Sequence, residues 1–257
     1  LKELTMVLKH EIFIEPFDLN RLLHIYIPDN IKEGERFPVM YMFDGHNLFF
    51  DSDATYGKSW GIKDFLDSSN TRIMIVGIEC NHEGNKRLWE FSPYSFKDKY
   101  FGSVKGYGKI LIDWIADHLK PMIDENFPTL PERKFTGLGG SSMGGLMSVY
   151  GTAIRSDIFS MGACLSPFYE HIFKKLVEEL SKAEVNPETK FYISWGRYEV
   201  HSKKQLAVES EKNLIISRIL TFKGVQVFPH LMVEGGHNEA SWEKENLIWM
   251  TELGFIK

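Results

Sequence analysis

A glycine-flanked turn, Gly139-Gly140-Ser141-Ser142-Met143-Gly144-Gly145, joins an apolar run at Lys134 to Leu138 to a helix-like run at Leu146 to Ile154. Strand, sharp turn and helix in that order form the setting of a nucleophile elbow, in which a serine at the tip takes strained backbone angles above the end of a sheet. Ser142 is therefore a candidate nucleophile. A side chain at either flanking position would run into the neighbouring strand or helix, which accounts for Gly140 and Gly144.

The rest of the chain repeats the strand and helix alternation that an elbow requires. Runs rich in β-branched and aromatic residues recur at Leu22 to Ile27, Pro38 to Phe43, Arg72 to Ile78, Lys134 to Leu138, Phe159 to Leu165, Lys190 to Trp195 and Val225 to Val233, and read as strands. Between them, Ile110, Leu111, Trp114, Ile115, His118, Leu119, Met122 and Ile123 follow helical spacing with one buried face. Similar segments run from Pro167 to Leu180, Lys203 to Leu220 and Glu239 to Leu253. Near-continuous apolar strands separated by helices predict an α/β fold: a mostly parallel central sheet with helices on both faces, and the first strand or two antiparallel at one edge. In such sheets, ligands meet the carboxyl ends of the strands.

Length and charge narrow the functional classes. The 257 residues suit one domain over 1–257, with 43% apolar and 14% aromatic residues for its core. A net charge of -5 offers no basic field for nucleic acid or an anionic membrane, so the expected partner is a small molecule. Leu1 to Glu15 contains no uninterrupted apolar segment, hence no signal peptide or spanning helix is expected. Cys80 and Cys164 each close an apolar run and read as core residues, in keeping with a reducing, cytoplasmic setting. Neither metal nor other cofactor is expected. Asp44, Asp51 and Asp53 lack the spacing of a calcium loop, no histidine pair shares a helix face, and no glycine-rich loop carries a phosphate-binding lysine.

A serine hydroxyl attacks at neutral pH only when a base takes its proton and an acid orients that base. Of nine histidines, His237 lies just past the last predicted strand in Glu234-Gly235-Gly236-His237-Asn238-Glu239, where two glycines let the backbone carry a side chain over the sheet end. Glu199 follows another predicted strand through Gly196-Arg197-Tyr198, with Glu209 and Glu234 as the alternatives for the acid. The order Ser142, Glu199, His237 is the serine, acid, histidine order of α/β-hydrolases. An oxyanion would be met by the N–H of Met143 and by that of His46, in the sharp turn Asp44-Gly45-His46-Asn47.

Tyr41-Met42-Phe43-Asp44-Gly45-His46-Asn47-Leu48-Phe49, Arg87-Leu88-Trp89-Glu90-Phe91-Ser92-Pro93, Gly140-Ser141-Ser142-Met143-Gly144-Gly145 and Gly236-His237-Asn238-Glu239-Ala240-Ser241-Trp242 together resemble the esterase family that includes esterase D and enterochelin-esterase-like enzymes. The resemblance covers about Leu22 to Leu253. It implies an α/β-hydrolase fold and cofactor-free serine, histidine and acid chemistry on esters or thioesters. By position, Ser142 would be nucleophile, His237 base, Glu199 acid, and the His46 and Met143 amides the oxyanion hole. Many relatives carry glutamine at the position of His46, and the Gly196 to Glu199 stretch departs most from the family pattern. Trp60, Arg87 and Glu90 match positions in or beside the cleft and are candidate substrate-binding residues, with an Arg87–Glu90 ion pair as the alternative. Aromatic residues around Trp60, Trp89 and Phe168 to Tyr169 suggest an aryl or sugar ligand, with core packing as the alternative. The same residues would also suit an acyltransferase, or a binding protein that kept the fold without the chemistry.

Overall fold

The structure, a computed structural model, describes residues 7–256. In chain order it contains β1 (Val7–Ile14), β2 (Leu19–Tyr26), β3 (Val39–Phe43), α1 (Ile62–Ser69), β4 (Met74–Ile78), α2 (Lys86–Glu90), β5 (Phe96–Asp98), β6 (Gly102–Val104), α3 (Gly108–Trp114) and α4 (Lys120–Asn126). There follow β7 (Thr136–Ser141), α5 (Met143–Ile154), β8 (Met161–Leu165), α6 (Phe173–Lys182), β9 (Lys190–Gly196), α7 (Lys203–Phe222), β10 (Gln226–Met232), α8 (Glu239–Glu243) and α9 (Asn246–Leu253).

Eight strands form one sheet in the order β1-β2-β4-β3-β7-β8-β9-β10, and β5 and β6 form a separate hairpin. The pairs β4–β3, β3–β7, β7–β8, β8–β9 and β9–β10 are parallel, while β1–β2 and β2–β4 are antiparallel. The expected antiparallel edge is thus present. Strand β3 shows why the sheet needs cover on both faces. Its side chains alternate with period two: Val39, Tyr41 and Phe43 join one apolar core with Leu111, Leu146 and Tyr150. Met40 and Met42 enter a second core with Leu66, Trp249 and Met250. Each fully buried side chain of this kind is worth about 1.5–3 kcal/mol relative to exposure.

Helix α5 is apolar nearly all round and buried along its length except at Ile154, which places it as the central helix behind the elbow. Three expectations are corrected. The helix expected across Ile110 to Ile123 is interrupted by a wider turn, Ile115–Leu119, between α3 and α4. Pro121, in the first turn of α4, has no N–H to continue the ladder, and the helix accommodates it by widening. Pro167 to Ile172 form a loop, and the helix begins only at Phe173. The segment expected as one helix from Glu239 divides into α8 and α9. Among the described residues, no helix is long and apolar enough to cross a membrane.

Candidate active site

Strand β7 ends at Ser141, and Ser142 turns the chain into α5 at φ 56°, ψ -120°. A non-glycine residue in that region costs on the order of 1–3 kcal/mol and persists only where its surroundings over-determine it. Here they do. Ser142 N–H donates to Leu165 O at 3.0 Å, and Ser142 O accepts from Phe168 N at 3.1 Å and Leu146 N at 3.0 Å. A Cβ on Gly140 would lie 2.9 Å from the Gly144 carbonyl carbon, and one on Gly144 would lie 2.9 Å from Phe43 Cβ. Both flanking glycines are needed for the close packing that the turn imposes. Met143 opens α5, so its amide belongs to the first turn, where N–H groups have no acceptor within the helix.

Two strands further along, β9 ends at Gly196 and a short turn, Arg197–Glu199, presents Glu199. The turn after β10 carries His237 back toward it, and His237 Nδ1 lies 3.1 Å from Glu199 Oε2. With Nδ1–H donated to Glu199, Nε2 is the nitrogen left to take a proton. Glu199 Oε1 accepts from the Ser166 hydroxyl at 2.7 Å and from Gly196 N–H. Ser166 Oγ in turn accepts from Trp242 Nε1 at 2.8 Å, and the Trp242 ring meets His237 edge to face at 5.3 Å. The two turns approach closely because both carry glycine: a Cβ on Gly196 would lie 2.6 Å from the Gly235 carbonyl carbon. Asn238 then caps α8 by accepting from Ser241 N at 3.0 Å. Of the alternative acids, Glu209 pairs with Lys212 on α7 at 2.8 Å, and Glu234 is exposed.

Strand β3 lies between β4 and β7, so the turn that follows it emerges beside the elbow. Asp44 enters this turn in the left-handed conformation, φ 57°, ψ 51°, and Asn47 N–H closes it on Asp44 O at 2.9 Å. The His46 amide therefore sits in a tight turn at the same sheet end as Met143. The His46 imidazole is buried, with Nε2 2.9 Å from Thr55 Oγ1. Burial lowers its pKa, only partly offset by the Asp44 charge. Asp44 is gripped by Arg87 through Nε to Oδ1 at 2.7 Å and Nη2 to Oδ2 at 2.6 Å. Burial opposes the Asp44 charge, yet the Arg87 charge and hydrogen bonds hold its carboxyl below the ordinary range.

Ser142, His237, His46 and Arg87 line one cleft of about 510 Å³, together with Asn81, Tyr56, Glu239 and Trp242. Glu199 stands behind His237. Among the described residues no hydrogen bond joins Ser142 directly to His237; such contacts often tighten only once substrate is bound. Trp60 and Glu90, expected at the cleft, do not line it. Trp60 is 2% exposed, packs against Trp242 at 5.7 Å and accepts a hydrogen bond from Asn246 on its carbonyl. Glu90 is 3% exposed and binds Arg21 through both oxygens, at 2.8 and 2.9 Å, which replaces the expected Arg87–Glu90 pair. Tyr169 is likewise core, and Trp89 lines a separate groove with Phe17 and Tyr107. The sequence reading missed Ser166 and Glu239. Ser166 follows β8 with φ 46°, and nothing in its neighbours marks it; Glu239 has its carboxyl pKa raised, chiefly by burial.

The family described as "Putative esterase" matches residues 17–250 of the chain. "Uncharacterized protein YbbA" of Bacillus subtilis (strain 168) is 24% identical over 192 residues, 73% of this chain and 72% of its own length. Among solved structures, an IroE-like serine hydrolase from Shewanella oneidensis superposes with TM-score 0.73 at 18% identity, covering 96% of this chain and 78% of that one. A ferulic acid esterase from Anaeromyces mucronatus superposes with TM-score 0.66 at 18% identity, covering 98% and 92%. The elbow, the sheet order and this match over most of the length lead to one conclusion: the chain has the α/β-hydrolase fold and belongs to the putative esterase family.

Proposed function

We propose that the chain is a serine esterase that cleaves carboxylic esters through an acyl-enzyme. The observation that carries this reading is the strained Ser142 turn sharing a cleft with a His237 whose Nδ1 is held by Glu199. Ser142 Oγ attacks the ester carbonyl carbon while His237 Nε2 takes its proton. The carbonyl oxygen becomes an oxyanion met by the Met143 and His46 amides; one such donor is worth about 3–4 kcal/mol in other enzymes. His237 then protonates the leaving alkoxide, and the same imidazole draws a proton from water to release the acid. Glu199 orients the ring and balances its transient charge. The contributing turns follow β3, β7, β9 and β10, so the chemistry draws on most of the chain, in keeping with one domain.

The cleft is rich in hydrogen-bonding groups, including Asn47, Thr55, Asn81, Asn238 and Arg87, with Tyr56 at its mouth. This lining favours a short or aryl acyl group on an oxygen-rich alcohol, such as an acylated sugar, over a long fatty ester. A panel of esters varied in acyl length and alcohol, compared by kcat/KM, should rank short acyl sugars above long fatty esters; the reverse order would overturn the substrate reading. Ser142→Ala should keep the melting curve and lower turnover by at least about 10⁴-fold, as loss of a nucleophile does elsewhere. Unchanged turnover, or a wild-type serine that never reacts with a fluorophosphonate, would end the serine mechanism. Product analysis with a competing acceptor alcohol separates hydrolysis from acyl transfer.

A further inference from the structure

Strands β3 and β4 are parallel neighbours with Phe43 level with Ile78, so the chain just past each strand emerges side by side. Two residues beyond Ile78 stands Cys80, then His82; three residues beyond Phe43 stands His46. One ring nitrogen of each histidine and the Cys80 sulfur all lie within 4.8 Å of one another. We propose that His46, Cys80 and His82 form a binding site for a borderline-soft divalent cation, Zn²⁺, at the edge of the cleft.

The donor chemistry fits. Thiolate with two imidazoles is a ligand set that zinc prefers over hard-cation sites, leaving a fourth position for water. His46 is 6% exposed, and its Nδ1 is buried without a hydrogen-bond partner, although Nε2 is engaged by Thr55. A buried ring nitrogen without a partner is uncommon, and a bound ion is one way to satisfy it. His82 points Nδ1 toward Cys80 Sγ at 3.9 Å, while its Nε2 lies 3.5 Å from Glu79 Oε2. The far nitrogen of His46 is bonded to Thr55, and that of His82 lies near the Glu79 carboxylate, an arrangement of the kind that orients metal-bound imidazoles.

The surroundings hold the donors in place. Glu90, paired with Arg21, accepts from Asn81 N–H at 3.2 Å and so fixes the segment between Cys80 and His82. Glu79 also binds His24 Nε2 at 2.8 Å. Arg87, the nearby cation, is neutralised by its two bonds to Asp44. Zinc at about 2.3 Å from sulfur and 2.0–2.1 Å from nitrogen needs donors roughly 3.3–3.8 Å apart. Closing the gap falls to His82, the one donor on the surface. Coordination replaces the thiol proton of Cys80 by the metal and releases that proton to solvent.

The test uses tag-free full-length protein and no ester, so its outcome is separate from the esterase reading. Titration with Zn²⁺ against a chromophoric chelator should find a single site tighter than micromolar. Co²⁺ in its place should give a thiolate charge-transfer band in the near ultraviolet. Outer partners alone shift such affinities by roughly 10–100-fold, so loss of a ligand in His82→Ala should weaken binding by at least that factor. His82 is exposed, and its removal leaves the core untouched. Cys80→Ser should abolish the cobalt band. No tight site in the wild-type protein, equal affinity in His82→Ala, or a cobalt spectrum without the thiolate band would each overturn the proposal.

Discussion

Ser166 carries two polar obligations at once, donating its hydroxyl to Glu199 and accepting the Trp242 indole N–H. Ser166→Ala leaves that N–H buried and unpaired, at a cost of about 1–3 kcal/mol, and removes one of the bonds that fix the Glu199 carboxylate. The expected result is a lower melting temperature and a roughly tenfold fall in kcat with KM little changed, because Ser166 does not line the cleft that holds Ser142. A variant that melts lower but keeps its kcat would show that Ser166 is structural only. This residue also marks where sequence reading stops. Ser142 and His237 stand out as candidates in the sequence because each sits in a local pattern of glycines beside a strand end, whereas a serine after β8 has no such pattern. Trp60 and Glu90 were misplaced for the opposite reason. They lie near cleft residues along the chain, but burial is a property of the fold, and both side chains turn inward to Trp242 and Arg21.

At the scale of elements, the coupling of Glu199 to His237 depends on how closely the end of β9 and the turn after β10 can approach. Gly196→Ala tests that approach. The added methyl would meet the Gly235 carbonyl group, 2.6 Å from its carbon, so the two turns must part. Overpacking of this kind costs typically about 1–3 kcal/mol. It should also lengthen the Glu199–His237 contact and lower kcat by roughly 10–100-fold, well short of the roughly 10⁴-fold that loss of the orienting acid's function costs elsewhere. Wild-type kcat in Gly196→Ala would mean that the turns accommodate the methyl without moving His237. Most elements were legible because their apolar period was strong, as in β3, β4 and β7 to β10. Strand β1 was not, since Lys9, His10 and Glu11 are exposed on an edge strand with little apolar signal. The break between α3 and α4 was missed because side-chain spacing continues through Pro121, while the missing amide hydrogen acts on the backbone alone.

At the scale of the whole molecule, the second core contains an ionisable group that ties stability to pH. Glu245, at the junction of α8 and α9, is 2% exposed, and Tyr192 of β9 donates to its Oε2 at 2.7 Å. Burial pushes its carboxyl up to about 7, against the opposing effect of the Ser194 and Tyr192 hydroxyls. In the unfolded chain the same group titrates near 4.5. Below that pH both states are protonated and Glu245 makes no difference to stability. Between about 4.5 and 7 the unfolded state has released a proton that the folded state still binds, so stability falls as pH rises, and above the folded value the loss is complete. The shift corresponds to a loss on the order of 3 kcal/mol. Glu239 is raised in the same direction but is present in both proteins compared, so Glu245→Gln isolates the effect. The wild-type and Glu245→Gln proteins should unfold in urea with similar free energies near pH 4.5. Toward pH 8 the variant should become the more stable by an amount approaching that loss. A difference between the two that stays constant from pH 4.5 to 8 would mean that Glu245 ionises in the fold as readily as in the open chain, and that the cover formed by α8 and α9 over the sheet is wetter than its packing implies.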